Sequence, residues 1–126
     1  MDILSQEVKN LLLNADAKAL ATSYKDDINV VPVSSIKTVE NKIWLIDYFF
    51  NKTRYNLKNN PTVSLTAWTG LQGYQVKATA KYLLKGEEFE IAKKWIKEIH
   101  PNRVVYGLIT LNPTEVFDIS IHNKQL

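Results

Sequence analysis

From Lys18 onward the chain is cut into β-branched and aromatic runs of roughly five to nine residues by small clusters of Asp, Asn, Gly and Lys. That texture limits the fold more than any other feature. "KALATSY", "VVPVSSIKTV" and "IWLIDYFF", divided by "KDDIN" and "ENK", read as an antiparallel meander of three strands. "PTVSLTAW" and "YQVKATAKYLL" flank the turn "TGLQG" as a long hairpin, with Val76, Ala78 and Ala80 on one face and Gln75, Lys77 and Thr79 on the other. "RVVYGLITL" and "TEVFDISI" read as two further strands around Asn112-Pro113. Pro32 falls inside the second run; since proline cannot donate to a ladder, it marks an edge, a bulge or the approach of a bound group.

Three stretches break this pattern. Ile3, Leu4, Val8, Leu11 and Leu12 follow helical spacing over residues 3 to 13, with Ser5 or Asp2 as cap, and such a helix would lie as a lid on the sheet. "GEEFEIAKKWIKEIHP" is the clearest helix, near 87 to 100: an acidic first turn suits the positive end of the dipole, Phe89, Ala92, Ile96 and Ile99 form the apolar stripe, and Pro101 stops it. A short helix near 52 to 59 ends at Asn59, Asn60 and Pro61, with Tyr55 and Leu57 turned inward. About six strands with a helix before the last pair make a mainly β fold, a small closed or partly closed barrel in one domain spanning 1 to 126.

A chain of 126 residues with 45% apolar and 23% charged side chains can bury a real core and is unlike disordered chains. It contains no cysteine, which excludes disulfides and thiolate metal sites. Asp2 and Glu7 stand where a secretory signal would carry cations, and no apolar run nears the ~18 residues of a membrane span. The expectation is a cytoplasmic protein, with no membrane partner. The net charge of +3 is spread out, and Lys93, Lys94 and Lys97 interleave with Glu90 and Glu98, so no nucleic-acid partner is expected.

The densest chemistry lies in "DYFFNKTRYNLKNNP", where a strand runs directly into Asn51, Lys52, Thr53 and Arg54. A helix starting near Lys52 would present unsatisfied first-turn N–H groups, to which Lys52, Thr53 and Arg54 add charge and a hydroxyl: a phosphate would fit. The same residues also describe a helix capped by Asn51 with solvated cations, the commoner case for an arbitrary sequence. Other motifs carry less. His100 and His122 are too far apart in sequence to suggest a metal pair, Asp26-Asp27 reads as a turn, and neither a dinucleotide fingerprint nor a P-loop is present. Trp68, beside the glycine turn, is a candidate for an exposed ligand wall.

The order "LATSY…INVVPVSSIKTVENKIWLIDYFFNKTRYNLKNNPTVSLTAW…GYQVKATAKY" resembles the pyridoxamine 5′-phosphate oxidase-like family of FMN-binding split barrels over residues 18 to about 85. The "NKTRYNLKNNP" block, followed by Gln75, Val76 and Lys77, is its most specific part. The resemblance implies a split β-barrel of Greek-key type with FMN as cofactor. Lys52 and Thr53 would hold the phosphate, with Arg54 a weaker candidate, and Asn51 would cap that turn. Pro32, Val33, Ser34 and Ser35 would lie along the ring, Asp47 and Tyr48 would border the ribityl chain or ring, and Gln75 would reach the cofactor across a homodimer interface. The longer oxidases bind a second phosphate through C-terminal basic residues and a histidine; here only His122 and Lys124 stand in that region, without an Arg-x-His pattern, so vitamin B6 oxidation is not expected.

The functional expectation is therefore an FMN-dependent oxidoreductase of unknown substrate, with no catalytic residue assigned, because a bound flavin supplies the redox chemistry. A non-catalytic FMN electron carrier or flavin store is equally compatible with the residues. A single-stranded nucleic-acid barrel is the alternative from another class, and a deazaflavin or haem in the same cleft is a further one.

Overall fold

The computed structural model describes residues 3–121. In chain order the elements are α1 (Gln6–Asn14), β1 (Ala17–Tyr24), β2 (Asp27–Pro32), β3 (Ile36–Val39), β4 (Lys42–Asp47), α2 (Lys52–Asn59), β5 (Thr62–Thr69), β6 (Gln72–Leu83), α3 (Glu87–Ile99) and β7 (Gly107–Asp118). All seven strands join one antiparallel sheet in the order β2-β1-β5-β6-β7-β4-β3.

That order fixes the shape. β2 and β3 are the two edges of the sheet, yet only residues 33 to 35 join them. Four Cα steps span at most ~14 Å, so the sheet must curl until its edges nearly meet. The result is the expected split barrel: a seam remains open between β2 and β3. Pro32 ends edge strand β2, where its missing N–H costs no ladder bond.

Two details of the strand pattern differ from expectation. "VVPVSSIKTV" is not one strand of a meander but two, β2 and β3, separated at Val33, Ser34 and Ser35 and paired to different neighbours. The final pair is instead the single strand β7, which runs through Pro113 because the β6–β7 register shifts there: Lys77 opposes Glu115 while Ala78 opposes Pro113. The extra residue of this bulge is Thr114, next to the proline that cannot donate.

The barrel interior holds Leu20, Leu45, Leu65, Val76, Ile109 and Leu111, closed by Leu4 just before α1 and by Val8 and Leu12 on it. Ser5 caps α1, its Oγ accepting from the Val8 amide at 3.2 Å; the alternative cap Asp2 lies outside the described residues. Outside the barrel, Phe89, Ala92 and Ile96 of α3 pack on Trp44, Ile46 and Leu108, which is why β4 is buried on both faces. Ile99, expected in that stripe, is half exposed. On α2, Leu57 enters the core as expected, but Tyr55 points out and sets its ring edge-on to Tyr24. The buried polar positions of α2 are Thr53 and Asn56, and Asn56 donates to Thr22 on β1 at 3.2 Å.

Candidate functional site

Beside the seam lies a cavity of about 840 Å3, formed by β2 with its following loop, residues 46 to 53, and the segment 103 to 106. Seven expected site residues line it: Pro32, Val33, Ser34, Tyr48, Asn51, Lys52 and Thr53. Its described walls include two cations, Lys52 and Arg103, and no carboxylate. A cavity with apolar sides and a few convergent polar groups is what a small-molecule site needs.

The polar end is built by α2 and β2 together. Asn51 occupies the N-cap position but adopts helical angles (φ −106°, ψ −71°) and makes no side-chain capping bond. An N-cap side chain reaches the first turn from the extended region, so the expected capping role of Asn51 is not realised. In contrast to α1, the first-turn amides of α2 therefore have no side-chain cap. Thr53 is buried, and its Oγ1 accepts from Asn29 Nδ2 at 2.9 Å, which leaves the hydroxyl proton to donate. Lys52 forms an ion pair with Asp27, and the hydrogen bond and charge of that carboxylate raise the Lys52 pKa, keeping the ammonium charged. Asp27 thus does more than serve a turn: it opens β2, and the turn proper is Lys25 and Asp26, with Lys25 at φ 57°.

Asp47 is placed differently from the expectation that it borders a ligand. Its carboxylate is fully buried and turned away from the cavity, accepting from the Phe50 amide at 2.5 Å, the Tyr82 hydroxyl at 2.5 Å and Arg54 Nε at 3.1 Å. Its carbonyl accepts from the Tyr106 amide at 2.9 Å. Asp47 therefore ties both the loop after β4 and the segment after α3, two walls of the cavity, to the end of one strand. Arg54, held by Asp47, does not line the cavity.

Ser35 is buried behind the wall and bonds the Tyr48 hydroxyl at 2.6 Å, orienting that ring. Gln75 does not reach the cavity of its own chain. Strand registers place Pro32, Ala19, Thr66, Gln75 and Phe117 in one row across five strands, and three strand spacings put Gln75 ~14 Å from Pro32. The row runs over the outer face of the sheet. Trp68 lies in a separate shallow groove with Val30 and Pro32 rather than in the main cavity.

Sequence reasoning missed Asn29, Arg103, Val104 and Tyr106. Arg103 sets its guanidinium 5.1 Å from the centre of the Tyr48 ring. The sequence signal was faint: a cation next to "VVY", in a stretch that reads as the start of a strand but remains irregular until Gly107. His122 and Lys124 lie outside the described residues. Among the described residues no three His, Asp or Glu side chains gather as a metal site, and no helix is long and apolar enough to cross a membrane.

Fold and cleft define a split-barrel protein with Lys52, the Thr53 hydroxyl and the uncapped first turn of α2 at one end of its cavity. Its family follows from the sequence: residues 4–123 match the model for pyridoxamine 5′-phosphate oxidase, and the chain belongs to that family. An uncharacterised protein of Methanocaldococcus jannaschii is 32% identical over 121 residues, covering 92% of this chain and 80% of its own. Among solved structures, HupZ of Group A Streptococcus superposes with a TM-score of 0.82 at 22% identity, covering 93% of this chain and 94% of that one. An FMN-binding protein of Syntrophomonas wolfei gives a TM-score of 0.82 at 18% identity, covering 94% and 87%. These two likenesses establish the fold.

Proposed function

We propose that this protein binds FMN in the cavity beside the seam and acts as an FMN-dependent oxidoreductase. The observation that carries the reading is the uncapped start of α2, where Lys52, the Thr53 hydroxyl and free first-turn amides converge on one end of a carboxylate-free cavity. Such a group of donors suits a phosphate monoester dianion. Family membership and the FMN-binding structural neighbour support the same assignment.

The residues fit the group along its length. Lys52 and Thr53 hold the phosphate, Val31, Val33 and Ile46 give apolar walls, and Tyr48, fixed through Ser35, flanks the ring system. The Ser34 hydroxyl and the backbone of residues 32 to 35 supply polar contacts to the ring edge. When bound, the flavin supplies electron and hydride exchange; the protein orients it, desolvates one face and leaves the cavity mouth at Phe49, Val104 and Tyr106 open to a reactant.

The site is completed in a homodimer. The outer face that carries Gln75 also presents Ala19, Thr66, Phe117 and the exposed Val30, with Lys77 next to Gln75 on the same face of β6. A second copy seated there brings Gln75 to the partner's cofactor, a contact its own cavity is too distant to receive.

The test is the visible spectrum of gently purified protein, followed by titration with FMN, riboflavin and haem. A two-banded flavin spectrum, or FMN binding at least ~100-fold tighter than riboflavin, is expected from two or more charged hydrogen bonds of ~1.5–3 kcal/mol each. Absence of any flavin binding overturns the reading. Reduction of bound FMN by a nicotinamide donor with turnover supports the oxidoreductase; tight FMN without turnover makes the protein a carrier or store.

A further inference from the structure

β2 presents an ordered row to the start of α2. Its side chains alternate, with Ile28 and Val30 facing out while Asn29 and Val31 are half-buried. Asp27 falls in register with the second set, as its ion pair with Lys52 confirms, just as Asn29 bonds Thr53. Read from the apolar part of the cavity outward, the row is Val31, Asn29, Asp27: a hydrocarbon wall, an amide, then a carboxylate. Asn29 and Val31 line the cavity, and Asp27, half exposed and outside that lining, pairs with Lys52, which lines it. A ligand lying along β2 would set its phosphate against Thr53, Lys52 and Asn29. Whatever continued beyond that phosphate would next meet the Asp27 carboxylate.

We propose that Asp27 is a specificity residue that ends the cofactor site at one phosphate, admitting the monoester FMN and rejecting the diphosphate-linked dinucleotide FAD. This rests on the FMN reading above and names the residue that makes the choice. A terminal phosphate can draw Lys52 toward it while Asp27 turns to water. The second phosphoryl group of a dinucleotide has no such escape, because its own negative charge is carried past the carboxylate. Two like charges ~4 Å apart in a water-like medium disfavour each other by roughly fivefold in binding. At ~1 M salt, where screening acts over ~3 Å, the penalty should fade.

The experiment measures dissociation constants of FMN and FAD for the wild-type chain, Asp27→Asn and Asp27→Glu at low and high salt. Asp27→Asn should tighten FAD at least fivefold more than FMN, Asp27→Glu should keep the wild-type ratio, and high salt should shrink the difference. Circular dichroism confirms that the variants are folded. Equal tightening of both flavins would show a carboxylate that only competes for Lys52, and equal weakening one that only positions it; either result overturns the proposal. If wild type binds neither flavin, the cofactor reading fails and this claim falls with it. If wild type binds FMN but the ratio does not move, only the role of Asp27 is lost.

Discussion

Arg54 Nε lies 3.1 Å from Asp47 Oδ2, and this ion pair turns the guanidinium away from the cavity that its neighbours Lys52 and Thr53 line. Three adjacent residues of one helix turn therefore serve two purposes. Lys52 and Thr53 face the site; Arg54 helps to neutralise a buried carboxylate beneath it.

Replacing Asp47 by Ala removes the acceptor of three hydrogen bonds and leaves Arg54 without its partner. Because Arg54 keeps partial contact with water, the loss should fall near ~2–3 kcal/mol, toward the lower end of what breaking buried pairs costs. Urea unfolding measures it. Arg54→Ala should cost less and leave FMN affinity within about threefold, since the guanidinium is outside the cavity. A tenfold loss of affinity in that variant would return Arg54 to the phosphate site.

Tyr82 gives the fold a signature at alkaline pH. Burial, then its hydrogen bond to Asp47, pushes the phenol well above its ordinary value near 10. A raised pKa contributes stability that is whole below the unfolded value and is lost as pH climbs from there through the folded value. Between about pH 9 and 11 the wild-type chain should lose roughly 1 kcal/mol more than Tyr82→Phe, which has no proton to release. Parallel stability curves for the two proteins would contradict the partly buried, neutral phenol.

Gly107 is required by that same phenol. A Cβ at Gly107 would stand 2.5 Å from Tyr82 Oη and Cζ, so Gly107→Ala must push the ring off β7 and break its bond to Asp47. A loss of about 1–3 kcal/mol is expected. In the double variant with Tyr82→Phe the cost of the alanine should shrink, because the bond is already gone; strict additivity would place the strain elsewhere.

The proposed dimer can be tested on the sheet face. Thr66→Arg puts a long cation in the centre of the row Pro32, Ala19, Thr66, Gln75 and Phe117. Sedimentation should shift from dimer to monomer, and FMN affinity should drop at least tenfold while circular dichroism stays native. A wild-type chain that sediments as a monomer and still binds FMN tightly would remove the partner from the site.

The residues themselves announced most of the strands and the three helices, because alternation and helical periodicity are local properties. What they concealed depends on long-range geometry. "VVPVSSIKTV" hides a crossing between the two edges of the sheet, since nothing local distinguishes one strand through Pro32 from two strands around it. The family resemblance makes Asp47 a ligand neighbour, but strand pairing with Gly107 and the reach of Tyr82 turn it inward. Arg103 escaped notice because an irregular segment after a helix has no period to read. Gln75 was identified by resemblance alone; only the strand registers show that its own cavity lies too far away.

Lys52 and Thr53 are proposed to bind the cofactor phosphate. Calorimetric titration of FMN and riboflavin into the wild-type chain and into a Lys52→Ala/Thr53→Val double variant tests it directly. Wild type should strongly prefer FMN, the double variant should lose about two orders of magnitude of FMN affinity, and riboflavin should bind both alike. FMN affinity unchanged by the double substitution, in a protein that remains folded, would contradict it.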